Sequence, residues 1–338
     1  MRRRIAAAAV AVGLLAAACS SGDSDSKETR PTRKATTSTA VASDVSPLTG
    51  LPQDAATKGR PALIVKIDNA PKGRPQYGLG AADIVVEEGV EGGITRLAAI
   101  FQSKDAALVG PVRSARSSDL HIAVPLDHPL FAYSGTNSNF QALIDRAPLV
   151  NVGINKLGSA YHRDKRRSAP YNLFSSTPLL FKGTPAGAAG AKKLVDIGGA
   201  ESAGAGTPVT KLDVHWVDKV RTDVTWNWDG SKWSRIQNGT PVIDASGLAI
   251  TPRNIVTLFV NYVDTGERDQ SNSAVPEAKL VGTGEAWIIR DGTLIKGTWA
   301  KPAEESPIAL ADSRGAKIAL LPGQTWIEMP APGNGSVA

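Results

Sequence analysis

A single cysteine, Cys19, serves the whole 338-residue chain. No intramolecular disulfide can staple the fold, so packing and hydrogen bonds must hold every ordered segment. The composition permits this. Of all residues 42% are hydrophobic and 21% charged, an ordinary globular balance, and the length suffices for two domains.

Cys19 stands where its purpose can be read. Arg2, Arg3 and Arg4 precede an uncharged run from Ile5 to Ala18, 14 residues long. That is too short to cross a bilayer as a stable helix and right for the apolar part of a secretory signal. Ala16-Ala17-Ala18 leads into Cys19, followed by Ser20-Ser21-Gly22. Small residues before a cysteine at this point resemble a lipobox, in which the thiol is acylated and the chain is cut before the cysteine. Leu15 lies one place earlier than the leucine of many lipoboxes, and an ordinary A-x-A cleavage site is the alternative. A diacylglyceryl group plus an N-acyl chain would anchor durably. Cleavage after residue 18 removes three arginines and lowers the net charge from +6 to +3. The basicity is thus largely a targeting feature, and nucleic acid is not the expected partner. No second apolar run approaches 18 residues. The expected location is the extracytoplasmic face of the cell membrane.

Residues 20 to about 46 are rich in Ser, Thr, Asp and Lys and bury too little to order themselves. The segment 19–46 reads as a tether with a reach of about 30 Å. Residues 47–200 mix strand and helix, an α+β or α/β pattern with a mixed sheet. Ala62-Leu-Ile-Val-Lys-Ile67 reads as a central strand. Ile84–Glu88 and Ile94–Phe101 read as a strand pair around Gly89–Gly93, with Glu88 on the face of Ile84 and Val86, and Glu87 opposite. Helices are expected from Ser118 to Ala123, from Ser138 to Arg146, and from Pro185 to Val195, ending at Gly198-Gly199. Gly198–Gly206 reads as an interdomain linker. Beyond it, residues 205–330 form a β-rich domain holding all seven tryptophans, with 331–338 as a flexible tail. Strands are expected at Leu212–Trp216, Val256–Tyr262 and Ile318–Leu321. Asp229-Gly230 and Asp291-Gly292 are two-residue turn signals. They pair Trp228 with Ser231 and Trp226 with Trp233, and Ile288 with Ile295 and Ile289 with Leu294.

Several motifs carry a resemblance: Lys66-Ile-Asp-Asn69, Gly73-Arg-Pro-Gln-Tyr-Gly78, Ala82-Asp-Ile-Val-Val-Glu-Glu88, Gly92-Gly-Ile-Thr-Arg96 and Val109-Gly-Pro-Val-Arg-Ser-Ala-Arg116. So do Val281-Gly-Thr-Gly284, Asp291-Gly292, Gly297-Thr-Trp-Ala-Lys301 and Gly323-Gln-Thr-Trp326. Over roughly residues 47 to 330 the chain resembles the YerB-like lipoproteins, built on domain of unknown function 3048. Val86 stands where members of that family often have tyrosine. The resemblance implies a membrane-attached, two-domain envelope protein and no particular reaction.

The polar residues gathered at strand ends are the candidate chemistry. Asp68 and Asn69 close a strand, Arg74 follows in a turn, and Asp83, Glu87 and Glu88 lie on or near the next strand. Arg96, Arg113 and Arg116 are the available counter-charges. Two of the four acids facing one cavity would suit cleavage of a glycan, with arginines gripping carboxylate or phosphate groups. A structural ion network, with Glu88 paired to Arg96 and Asp68 capping a turn, is the plainer alternative. Arg113-Ser114-Ala-Arg116 reads as an anion nest, whereas Ser114 lacks the elbow and histidine of a nucleophile. His162 sits in the basic run Tyr161–Arg167, which suits either a polyanion or solvent. Trp226, Trp228 and Trp233 offer either a sugar-stacking face or core packing. Trp299 beside Lys301 is the better candidate for an exposed ligand contact. No metal-binding spacing or cofactor fingerprint is present, and neither a metal nor a cofactor is expected.

These features predict an envelope protein without catalytic machinery. It would bind peptidoglycan, an anionic wall polymer or an envelope protein through Asp68, Asn69, Arg74, Glu88, Arg96, Arg113, Ser114 and Arg116. Outside that cleft, His162, Trp299 and Lys301 are further candidate contacts. The rival expectation is a carboxylate-dependent wall hydrolase or transferase.

Overall fold

Three strands with no exposed residue set the frame: β1 (Leu63–Asp68), β2 (Ile84–Gly89) and β3 (Thr95–Phe101). A strand buried on both faces must lie inside a sheet with layers above and below it. A computed structural model, describing residues 45–198, 206–269 and 272–338, shows that arrangement. Cys19, the signal run and the tether up to residue 44 lie outside the described residues, as do 199–205 of the expected linker.

β3 pairs antiparallel with β1 and β2, and Arg96 lies opposite Asp68 on one side and Glu88 on the other. β1 continues to a parallel partner, β4 (Leu130–Ala132), and then to Val150–Asn151. On its free side β2 pairs parallel with Thr325–Met329, which pairs parallel with Asn254–Leu258. The antiparallel strands Gly282–Arg290, Thr293–Lys301 and Ala309–Asp312 complete that edge. Strands from both halves of the sequence therefore share one eleven-stranded sheet, and Ser43–Ala338 forms one compact unit.

A second, five-stranded sheet covers one face of the first. Its order is Thr240–Pro241, Trp233–Gln237, Arg221–Trp228, Lys211–Val217 and Gly335–Val337. Between the sheets Val65, Val85, Leu97 and Trp326 of the first meet Val214, Val224, Trp226 and Trp233 of the second. Trp226 and Trp326 pack edge to face with centroids 5.2 Å apart, worth about 0.5–1.5 kcal/mol beyond the area they bury. Ile64, Ile84, Val86, Ala98 and Ile100 fill the other face beneath α1 (Ser118–Ala123) and α2 (Ser138–Ile144). Asn137 caps α2 by accepting the Phe140 N–H. The helices are five to seven residues long, α3 (Thr177–Phe181) being the shortest, so the fold is a mixed, sheet-rich one with a β-rich C-terminal part. No helix of the described residues is long and apolar enough to cross a membrane.

Several local expectations change. Residues 185–195 form no helix. Gly187 takes a positive φ of 73°, and Ala191 and Lys192 donate to the carbonyls of Arg60 and Leu126, so the chain is held by its neighbours and not by itself. The Asp229 turn spans four residues: the Asp229 carboxylate accepts the N–H groups of Ser231 and Lys232, and Trp228 pairs with Trp233. The Asp291-Gly292 turn has the expected register. Val256–Tyr262 is broken after Leu258, Ile318–Leu321 makes only isolated bridges, and Gly335–Val337, expected in a loose tail, is an edge strand.

Candidate functional site

β1, β2 and β3 bring Asp68, Glu88 and Arg96 to one end of the large sheet, on the α1–α2 face. Their register makes Arg96 a neighbour of both acids. The side chains then separate. Glu88 turns inward to pair with the buried Lys66, and Lys66 Nζ reaches Asp119 Oδ1 at 2.7 Å. Asp119 Oδ2 accepts the Arg116 N–H at 2.7 Å, which ties the 113–116 loop to this buried floor. Burial, reinforced by the Asp119 charge and opposed by Lys66, pushes the Glu88 carboxyl up to about 7.

Above the floor lies an open cleft of about 410 Å³. Arg96, Arg113, Arg116 and Arg268 line it, with Glu91, Asp269, Ser114, Thr136 and Asn137. Arg96 Nη1 donates to the Ser114 carbonyl at 3.1 Å, and Nη2 lies 3.7 Å from Glu91. Arg116 Nε also pairs with Glu91, so one carboxylate serves two guanidinium groups. Arg113 Nε lies 2.6 Å from Asp68 Oδ2, and its side chain keeps 25% exposure. Burial first, then the positive charges of Arg116 and Arg113, depress the Arg96 pKa to about 10 against the pull of Glu91 and Asp68. Burial alone would raise Glu91, but the Arg116 hydrogen bond and the charges of Arg116 and Arg96 hold it below the ordinary carboxylate value. The lining presents four guanidinium groups against Glu91 and Asp269, while Asp68 pairs with Arg113 from behind and Asp264 with Arg268 Nη1 at 2.9 Å. Among the described residues, the Ser114 N–H and hydroxyl have no hydrogen-bond partner within the protein. A phosphate or carboxylate is the group such a lining can hold, by charge-assisted and bidentate hydrogen bonds.

The expected site residues divide accordingly. Arg96, Arg113, Ser114 and Arg116 converge on the cleft, with Asp68 behind Arg113 and Glu88 in the floor. Asn69 and Glu87 face the second sheet. There Asn69 Nδ2 and Thr95 Oγ1 donate to Glu87 Oε1 at 2.9 and 2.6 Å, and Arg235 pairs with Glu87 Oε2. Glu328, beside Glu87 in register, accepts from Trp226 Nε1 at 2.8 Å. Two sealed carboxylates thus share one guanidinium. Burial, then the Glu87 charge, pushes the Glu328 carboxyl well above its ordinary value against the pull of Arg235 and the Trp226 hydrogen bond. Arg74 also points to this side, donating to the Gln237 carbonyl at 3.2 Å.

Asp83 accepts the N–H groups of Gln102 and Ser103 at 2.6 and 2.8 Å, closing a turn at the opposite end of β2. Of the four acids expected for hydrolysis, none lines the cleft. Asp83 is spent on backbone, and Glu87 and Glu88 lie on opposite faces. Trp299 is 2% exposed and donates to the Phe259 carbonyl, while Lys301 is buried and donates to the Ala303 carbonyl. Neither is the surface contact expected of it, because their strand lies under the α1–α2 face. Trp226 and Trp233 are likewise core residues. His162 is exposed and stacks on Phe174, in a loop whose Tyr171 ring faces Arg113 at 5.9 Å.

Sequence reasoning missed Lys66, Glu91, Asp119, Arg235, Arg268, Asp269 and Glu328. A charged residue inside an all-apolar strand run, as in Leu63–Asp68 or Thr325–Met329, signals a buried partner. Arg268 carries no local signal, since only tertiary structure brings it to the cleft. Among the described residues no three His, Cys, Asp or Glu side chains gather as a metal site.

Residues 48–190 match the family model described as Protein of unknown function (DUF3048) N-terminal domain, and residues 212–327 match the corresponding C-terminal domain. A Bacillus subtilis (strain 168) protein named "Putative lipoprotein YerB" is 29% identical over 305 residues, covering 84% of this chain and 85% of its own. The crystal structure of the YerB protein from Bacillus subtilis superposes with a TM-score of 0.75 at 25% identity, over 87% of this chain and 99% of that one. The matched segments span both halves of the large sheet and all of the cleft lining. The chain belongs to the DUF3048 family.

Proposed function

We propose that this protein is a lipid-anchored envelope protein on the extracytoplasmic face of the bacterial cell membrane, and that it binds an anionic cell-wall component or acidic partner through the arginine cleft. The anchor rests on Cys19 after its apolar run and on the similarity to a protein named as a lipoprotein. One observation carries the binding: Arg96, Arg113, Arg116 and Arg268, from β3, the loop before α1 and the 262–278 hairpin, line one open cleft with only Glu91 and Asp269 as lining acids. An anion entering there relieves the repulsion among Arg96, Arg116 and Arg113 that adds to burial in depressing Arg96, and meets donors already oriented by the Ser114 carbonyl and Glu91. Insoluble peptidoglycan with its attached polymers, incubated with full-length protein in detergent, tests the reading. Retention is expected for wild type, falling with added salt and about tenfold weaker for Arg113→Ala/Arg116→Ala. Equal retention of the two proteins would count against it.

A further inference from the structure

The arginine cleft is not closed on all sides. Arg116, Thr136, Asn137 and Val275 also line an adjoining groove of about 330 Å³. The groove runs between α2 and the 262–278 hairpin, whose walls are tied by Asn139 Nδ2 donating to Glu267 Oε1 at 2.5 Å. Its lining differs in kind. Phe140, Leu143, Val263 and Val275 supply apolar surface, with Leu143 left 47% and Val263 40% exposed. The groove's own carboxylates are engaged, Asp264 by Arg268, Glu267 by Asn139 and Glu277 by Lys279, so exposed aliphatic side chains beside the cleft's guanidinium groups make a two-part site.

Resting on the anion-binding reading above, we infer that the occupant is a short acidic peptide, with carboxylates among Arg96, Arg113 and Arg116 and an apolar side chain over Leu143 and Val263. Charge complementarity fixes the acidic end. A polyol-phosphate polymer has no group that would cover Leu143 and Val263. An acyl chain would have to lie beside Asn139, Glu267 and Lys279, which line the same groove. Asn137 Nδ2 and Asn139 Oδ1, which make no hydrogen bond among the described residues, instead suit the carbonyl and N–H groups of a peptide.

Calorimetric titration of the full-length protein in detergent with two probes tests this. The probes are N-acetyl-leucyl-glutamyl-glutamate and its glycyl counterpart, which carry the same carboxylates. The leucyl peptide is expected to bind about tenfold more tightly, the effect of partly burying one leucine side chain. Leu143→Asn, an exposed position on α2, should erase that difference and leave the glycyl peptide unaffected. Equal binding of the two peptides to wild type would overturn the inference and leave the anion reading standing. Failure of both peptides to bind, with polyphosphate or phosphatidylglycerol vesicles binding in an Arg113/Arg116-dependent way, would also overturn it while keeping that reading. No binding of any of these anions would defeat both.

Discussion

Glu87 and Glu88 are consecutive residues of β2, yet they enter opposite kinds of environment. On the side of Glu87, two carboxylates share Arg235 in a space sealed between two sheets. On the side of Glu88, a buried floor of Lys66, Glu88 and Asp119 supports an open cleft lined by four guanidinium groups and two carboxylates. Excess charge shut away from water raises the affinity of a carboxylate for a proton, as at Glu328. Excess charge left open to water can be met by a ligand. Polar clustering alone therefore does not mark a site. The sign of the surplus and the access to it decide.

The sealed side should break first. Arg235→Leu leaves Glu87 without its ion pair inside the core and is expected to lower the free energy of unfolding by about 3–5 kcal/mol in urea titration. A loss below 1 kcal/mol would show that the carboxyl pair needs no guanidinium.

Proton linkage should be the next largest effect. Glu88 and Glu328 are both raised in the folded protein, so the folded state keeps protons that the unfolded chain releases from about the ordinary value of 4.5 upward. Their contribution is complete below that value and is lost as pH rises, through about 7 for Glu88. Glu328→Gln keeps an acceptor for Trp226 and should flatten part of this decline in melting experiments. A decline of unchanged slope would remove Glu328 from the account.

On the open side, Arg113→Ala/Arg116→Ala should cost less, about 1–3 kcal/mol, because Arg113 and Arg116 keep 25% and 12% exposure while Asp68 and Glu91 lose a partner but retain Ala70 N–H and Arg96. A loss as large as that of Arg235→Leu would make the cleft a structural network. Ser114→Ala should be the mildest, within about 0.5 kcal/mol in the same titration, since its hydroxyl has no hydrogen-bond partner among the described residues. A larger loss would assign Ser114 to the fold.

The sequence discloses this division only in part. Period-two alternation places Glu87 and Glu88 on opposite faces, and the strand ends announce Arg96, Arg113 and Arg116 as companions. The Asp291-Gly292 turn keeps its expected register, its Asp291 carboxylate turned out to Arg253 and not back onto the turn's own N–H groups. The Asp229 turn does not, because its side chain captures two further N–H groups. The helix expected over 185–195 fails for a related reason: its N–H groups find better partners at Arg60 and Leu126. Least legible is the parallel insertion of Thr325–Met329 beside β2, a pairing of residues more than 200 positions apart. That pairing alone brings Glu328 to Glu87.

The central claim is that the arginine cleft binds anions. Calorimetry with N-acetyl-glutamyl-glutamate on the full-length protein tests it most directly. The account predicts binding to wild type that weakens with salt, is unchanged in Lys165→Ala/Arg166→Ala on the neighbouring exposed loop, and is at least about tenfold weaker in Arg113→Ala/Arg116→Ala. The same affinity in wild type and the Arg113/Arg116 double variant would contradict it.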